Sequence, residues 1–161
     1  MAARDVVVSI SEYAVSTDPD ARLVTYSLGS CVGLVLHDPV AGVGGLLHAM
    51  MPSSKSDPDK AREFPAMYTD TGATALIQEM FDLGATRANL IAKVVGAASQ
   101  VDTGNLFRIG ERNHMVLRKV LWKNGILIAA EDVGGSVSRS VYLEVGSGFT
   151  VVKSVGEMRE I

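Results

Sequence analysis

The 161-residue sequence is poor in cysteine, histidine and aromatic residues, and each scarcity excludes a class of protein. The single cysteine, Cys31, allows neither an intramolecular disulfide nor a cysteine-based zinc site. The three histidines, His37, His48 and His114, lack the HExxH spacing of a zinc hydrolase. Aromatic residues make up only 6% of the chain, which is too few for base-stacking platforms. The one tryptophan, Trp122, is predicted to lie in the core.

A strong charge of one sign and long apolar runs are also absent. The chain has 15 Lys and Arg against 18 Asp and Glu, a formal net charge of −3, which excludes bulk electrostatic attraction to nucleic acid or anionic membranes. No segment approaches the roughly 18 consecutive apolar residues of a membrane span, and no signal peptide is visible. We therefore predict a cytoplasmic protein that forms one domain over residues 1–161, without contacts to nucleic acid or insertion into a membrane.

What the sequence does contain is an alternation of short apolar runs with two amphipathic segments. Residues 70–83 and 111–123 have the apolar spacing of helices. Strand-length runs are found at 23–28, 32–36, 46–50, 90–95, 126–130, 137–145 and 149–153. This pattern predicts an α/β (α+β) fold: a layered sandwich with a mixed or antiparallel sheet core and about two main helices. Residues 52–69 are predicted to form one long polar connection. The sequence favours equally two interpretations of it: a lid or partner-binding segment, or a mobile surface loop.

Cys31 lies in the segment LGSCVG, where small neighbours favour exposure of its sulfur, although a buried structural cysteine is the commoner case. A four-residue hairpin loop at 38–41 predicts that Cys31 lies directly opposite His48, with Cβ atoms roughly 4.5–5.5 Å apart. An adjacent imidazolium stabilises a thiolate nucleophile. Gly33 and Gly44 on the same face are expected to leave an open floor beside the pair. His37 shares that face but is roughly 20 Å from the sulfur, too far to serve it.

Several motifs together resemble the CheD family, the chemoreceptor glutamine deamidases. They are LGSCVG at 28–33, GGLLHAMMP at 44–52, YTD at 68–70, GERN at 110–113 and EDVGG at 131–135, so that the resemblance spans nearly the whole chain. Two positions depart from the family pattern. Ala97 stands where the family usually has glycine, and Ser27 stands where glycine is common.

The resemblance implies a Cys–His–Thr site on Cys31, His48 and Thr25, although Thr25 by itself reads as an ordinary strand residue. It implies hydrolysis of protein-bound glutamine to glutamate on methyl-accepting chemotaxis receptors, without a cofactor or a metal. The thiol mechanism passes through a thioester, with the backbone around Gly29, Ser30 and Cys31 as candidate oxyanion donors. The family also implies a fold similar to that of bacterial deamidating toxins and, in some systems, binding to the phosphatase CheC.

Two other functions stay open on the sequence alone. A non-catalytic adaptor would bind CheC or receptors and keep a vestigial cysteine. A receptor methylesterase would use the same thiol and release methanol instead of ammonia. A redox role is weaker, because no second cysteine is present to resolve a disulfide.

Overall fold

Ten strands form two five-stranded sheets in the computed structural model, which describes residues 4–99 and 108–161. The strands are β1 (Arg4–Val7), β2 (Glu12–Ser16), β3 (Ala21–Leu28), β4 (Val32–Asp38), β5 (Val43–Ala49), β6 (Ile91–Gly96), β7 (Ile128–Val133), β8 (Arg139–Glu144), β9 (Thr150–Ser154) and β10 (Glu157–Glu160). The first sheet has the order β1-β3-β8-β9-β10, and the second has the order β2-β5-β4-β6-β7. Each contains one parallel pair, β1 with β3 and β6 with β7. The predicted α+β sandwich with mixed sheets is confirmed.

Three α-helices are described: α1 (Pro58–Glu63), α2 (Thr69–Asp82) and α3 (Ile109–Lys123). The two longer ones are the two predicted helices, and they pack on the outer face of the second sheet. The core prediction for Trp122 is wrong, because α3 buries Leu117 and Leu121 and leaves the Trp122 side chain 79% exposed. No helix in the described ranges is long and apolar enough to cross a membrane.

Strands β4 and β5 are buried along their whole length because both faces of the second sheet are covered. Leu34, Leu36 and Leu47 pack in the cluster beneath the helices. Val35 and Leu46 pack in the layer between the two sheets. Burial on both faces explains why these strands read as continuous apolar runs rather than as alternating patterns.

Residues 52–69 are not one irregular connection, and that prediction is wrong. They contain α1 and two 3-10 turns, Ser54–Ser56 and Pro65–Met67. The segment is tied at both ends, since the Met67 carbonyl accepts from Met50 N and Met51 N and the Asp70 carboxylate accepts from Ser54 N. The helical pieces escaped prediction because none is longer than six residues, too short to establish a period.

The β4–β5 turn occupies residues 39–42 rather than the predicted 38–41. Asp38 is the last residue of β4 and pairs with Val43. Its buried carboxylate accepts hydrogen bonds from the N–H groups of Val40 and Ala41, both at 2.9 Å. Asp38, which the sequence assigned to the turn, is therefore a strand residue whose side chain stabilises the turn by these hydrogen bonds. The shift moves every residue of the hairpin to a new partner.

Candidate active site

Thr25 reaches the layer between the sheets because β3 contains an irregularity. The pairing of β3 with β8 shifts between Thr25 and Leu28, so that both side chains are buried while Tyr26 and Ser27 face outward. In a regular strand, residues three apart would point to opposite faces. The extra residue, Ser27, has φ +60°, in the left-handed region that favours glycine. One of the two departures from the family pattern thus falls on a strained backbone position.

His48, on β5, is oriented by Thr25 from the opposite sheet. The Thr25 hydroxyl lies 2.7 Å from His48 Nδ1 and 2.6 Å from the carbonyl oxygen of Val8. A carbonyl oxygen only accepts, so the single hydroxyl proton goes to Val8 and Nδ1 must donate its own proton to Thr25. The neutral ring is therefore protonated on Nδ1, and its Nε2 carries the lone pair.

The environment of His48 keeps this ring neutral. Its side chain is only 3% exposed, and burial lowers the pKa of the imidazole to about 4. Within the part of the chain that the structure describes, buried Nε2 has no hydrogen-bond partner. A neutral imidazole with an unpartnered Nε2 is equipped to accept a proton.

Cys31 is not directly opposite His48, and the predicted register is wrong by two positions. His48 pairs with Gly33, so Cys31 is a diagonal neighbour just before the first residue of β4. Diagonal neighbours on one face are separated by roughly 7–8 Å between Cα atoms, within reach of long side chains. Cys31 packs in the inter-sheet cluster with Leu28, in the layer that Thr25 and His48 also enter. The structure thus brings the three predicted residues to one end of this layer.

The sulfur is less accessible than its small neighbours suggested. Cys31 is only 9% exposed, and burial raises the pKa of its thiol. The expected open floor at Gly33 is filled by Leu28, because a Cβ built on Gly33 would meet Leu28 Cδ1 at 2.9 Å. Burial therefore favours the neutral form of both the thiol and the imidazole, in contrast to the thiolate and imidazolium considered on the sequence alone.

In the turn before β4, the carbonyl groups accept hydrogen bonds, whereas the N–H groups have no backbone acceptor among the residues that the structure describes. The carbonyls of Gly29 and Cys31 accept from Ala98 N and Ala97 N, both at 2.8 Å. By contrast, among the described residues the N–H groups of Gly29, Ser30 and Cys31 donate to no other backbone group. The Cys31 N–H contacts its own sulfur and partly offsets the effect of burial on the thiol pKa. The turn thus offers backbone N–H donors of the kind that an oxyanion site needs, and the role of Gly29 and Ser30 in such a site stays a prediction.

The other two histidines are elsewhere. His37 Nε2 is 2.8 Å from the Val145 carbonyl oxygen, at the turn end of the hairpin. His114, on α3, is 3.0 Å from a Glu131 carboxylate oxygen. The described ranges contain no group of three or more His, Cys, Asp or Glu side chains arranged to hold a metal ion.

Two groups at the site escaped the sequence analysis. The Val8 carbonyl that takes the Thr25 proton has no side-chain signature, and β1 is only four residues long. Asn113 was overlooked although a signal exists. It is in line with Leu117 and Leu121 at intervals of four on α3, which places a polar residue on the buried helix face.

Comparison with known proteins decides the family. A protein-family model described as "CheD chemotactic sensory transduction" matches residues 50–154. A relative from Syntrophus aciditrophicus (strain SB) is 48% identical over 158 residues, covering 98% of this chain and 99% of the relative. The chain belongs to the CheD family. A CheD relative from Solibacter usitatus (strain Ellin6076) is 46% identical over 156 residues, covering 97% of this chain and 92% of the relative.

These two CheD relatives are named "Probable chemoreceptor glutamine deamidase CheD 1" and "Probable chemoreceptor glutamine deamidase CheD". The family-model match begins after Thr25, Cys31 and His48, whereas the two relatives align with nearly the entire chain. A solved structure of low sequence identity is also similar. Neisseria meningitidis protein NMB0706 has a TM-score of 0.48 at 9% identity, covering 83% of this chain and 63% of that chain.

Proposed function

We propose that this CheD protein hydrolyses glutamine side chains of chemoreceptor cytoplasmic domains to glutamate, with Cys31 as nucleophile, His48 as general base and acid, and Thr25 as the residue that orients His48. One observation carries the proposal. The Val8–Thr25–His48 chain of hydrogen bonds leaves the lone pair of a buried, neutral Nε2 without a partner among the described residues, and this nitrogen lies diagonal to the one cysteine of the sequence. The names of the relatives supply the substrate class.

The first half of the reaction forms a thioester. As Cys31 Sγ attacks the carboxamide carbon, its proton moves to His48 Nε2, because the raised thiol pKa leaves little thiolate beforehand. The carbonyl oxygen becomes an oxyanion next to the N–H groups of Ser30 and Cys31, which donate to no other backbone group among the described residues. His48 then protonates the leaving nitrogen, the C–N bond breaks, and ammonia departs.

The second half hydrolyses the thioester. The neutral Nε2 accepts a proton from water as the water oxygen attacks the thioester carbon. The carbon–sulfur bond breaks, the sulfur takes the proton back from His48, and glutamate is released. One water is consumed and one ammonia is formed, with no redox partner and no net change in the enzyme. The Thr25 hydroxyl accepts from Nδ1 throughout, so it stabilises the imidazolium that forms in each half.

The test is incubation of a receptor cytoplasmic fragment with the wild-type protein and with Cys31→Ala. Ammonia release and the mass gain of a Gln-to-Glu conversion are expected with the wild type alone. Equal ammonia release from the two proteins would overturn the proposal. Methanol release from a methylated fragment without ammonia would indicate a methylesterase, and binding without either product would indicate an adaptor. Pull-down with purified CheC tests the predicted second partner separately.

A further inference from the structure

The side-chain amide of Asn113, on the first turns of α3, lies at the open end of the β4–β5 hairpin. Its Nδ2 donates to the carbonyl oxygens of Ser30 at 2.9 Å and Met50 at 3.1 Å. Its Oδ1 lies 3.0 Å from the Thr69 hydroxyl. The Asn113 side chain is completely buried, and the two carbonyls fix its orientation because only Nδ2 has hydrogens to donate.

This amide stands where the sheet provides no further pairing. The β4–β5 ladder ends with Val32 opposite Ala49. Cys31 and the residue that would face it, Met50, lie beyond the last pair. Two hydrogens of one nitrogen bridge the chain segments at this point. Asn113 therefore connects the turn that carries the thiol to the end of the strand that carries the imidazole.

The bond to Ser30 also orients a candidate oxyanion donor. The Ser30 carbonyl and the Cys31 N–H belong to the same peptide unit, and no peptide bond described in the structure is cis. In a trans peptide the N–H points opposite to the C=O. Holding the Ser30 oxygen against Asn113 therefore directs the Cys31 N–H away from the helix, and that N–H contacts the Cys31 sulfur. A hydrogen bond accepted by the carbonyl also polarises the N–H of its own peptide unit.

We propose that Asn113 is a positioning residue for the reaction of Cys31: it sets the spacing between the thiol turn and the His48 strand and aims the Cys31 N–H at the developing oxyanion. The inference rests on the proposed deamidase function and adds to it a residue that does not touch the substrate. Thr69, also fully buried, contacts the amide at Oδ1, but its single hydroxyl proton is shared between Asn113 Oδ1 at 3.0 Å and the Met51 carbonyl oxygen at 3.1 Å, so the two carbonyls bound by Nδ2 determine the orientation of the amide.

The sharpest variant is Asn113→Asp, which keeps the shape of the side chain and Oδ1 but replaces the donor nitrogen with an oxygen that faces two carbonyls. We expect kcat for the receptor fragment to fall about 100-fold, the loss typical of a misplacement near 1 Å, with KM little changed. We also expect faster amide hydrogen exchange in the peptides that cover residues 29–31 and 49–51, because the bridge between them is gone.

Asp38→Asn is the matched control. Asp38 is buried at the opposite end of the same hairpin, and its carboxylate accepts from three backbone N–H groups, those of Val40, Ala41 and Thr86. Its replacement should lower stability and leave kcat close to the wild-type value. If Asn113→Asp does not fold, Thr69→Val removes the hydroxyl that contacts both Asn113 Oδ1 and the Met51 carbonyl, and it should give a smaller loss of kcat with a change in exchange at the same peptides.

Wild-type activity with an unchanged kcat in the folded Asn113 or Thr69 variant would overturn the positioning role and leave the deamidase function intact. An equal loss of kcat in Asp38→Asn at matched stability would also overturn it, because the effect would then be general destabilisation. Absence of ammonia release by the wild type would instead overturn the deamidase function. In that case amide hydrogen exchange still tests the structural part of the inference. An unchanged exchange rate at residues 29–31 in Asn113→Asp would show that the hydrogen bonds of Asn113 to the Ser30 and Met50 carbonyls do not hold the two segments together.

Discussion

His37 and His48 lie on neighbouring strands of one hairpin, enter the same inter-sheet layer and are buried alike, with 4% and 3% of their surface exposed. Their hydrogen bonds differ. His37 Nε2 is paired with a backbone carbonyl, whereas His48 has a partner at Nδ1 and none among the described residues at Nε2. Leaving a buried polar atom unpaired costs about 1–3 kcal/mol. The two histidines therefore differ in the unpaired nitrogen rather than in burial, and the role proposed for His48 rests on that nitrogen.

The two histidines should respond differently to the same substitution. His48→Gln removes the base that accepts the Cys31 proton, and we expect ammonia release to fall by at least about 100- to 10,000-fold. His37→Gln keeps a donor for the Val145 carbonyl, so its kcat should remain close to the wild-type value. Steady-state kinetics on a receptor fragment, with circular dichroism to verify folding, measures both. A comparable loss of kcat in His37→Gln would contradict the assignment of the catalytic role to His48 alone.

The unusual environment of His48 should also appear in the pH dependence of stability. Its pKa is about 4 in the folded protein, against roughly 6.5 in an unfolded chain. Between these values the unfolded state binds the additional proton, so the free energy of unfolding should decrease as pH falls from about 6.5 to 4, by up to about 3 kcal/mol. Above pH 6.5 this contribution is fully present.

Urea unfolding of the wild type and His48→Asn at pH 7.5 and 4.5 measures this dependence. The wild type should lose more stability than the variant between the two pH values. Parallel losses would show that His48 is not the group that titrates. The same pKa predicts that kcat/KM stays level down to about pH 5, because the base remains neutral.

Thr25 provides the intermediate effect. Thr25→Val keeps the shape of the side chain but removes the acceptor for His48 Nδ1–H, so the ring loses its fixed tautomer and orientation. We expect kcat to fall about 10- to 100-fold, as for other residues that orient a functional histidine. Thr25→Ser keeps the hydroxyl and should recover most of the activity. Equal loss in both variants would assign the effect to packing instead.

The smallest expected effect is on the free energy of unfolding, and it concerns backbone strain at the turn end of the β4–β5 hairpin and near the candidate active site. At the turn end, the left-handed conformation is taken by Gly42, with φ +71° and open space around it. Near the site it is taken by exposed Ser27, with φ +60°. Ser27→Gly should therefore raise the free energy of unfolding by about 0.5–1 kcal/mol, and Gly42→Ala should lower it by about 1 kcal/mol. Denaturant titration checks both signs, and destabilisation by Ser27→Gly would contradict the strain at β3.

The hairpin register could not be derived from the sequence. An aspartate followed by proline is typical of a turn, and the sequence alone does not indicate that Asp38 would be buried with its carboxylate bonded to Thr86 N across the fold. Strands β1, β2 and β10 were missed because none of their residues is fully buried, so they leave no apolar run in the sequence, whereas the equally short β9 alternates buried with more exposed residues. The burial of Cys31 likewise reflects the cluster between the sheets, which includes Leu28 from beyond the irregularity of β3.

The sequence by itself determined the α+β class, the two long helices, most strands and the residues with reactive side chains, because periodic burial and side-chain chemistry are local properties. Tertiary structure decided which atoms of those residues are available. Thr25 and Val8 select the tautomer of His48 from another sheet, and Asn113 bridges two carbonyls from a helix more than 60 residues from either in the chain. Such contacts depend on how the layers pack, because side-chain hydrogen bonds between distant segments leave no period in the sequence.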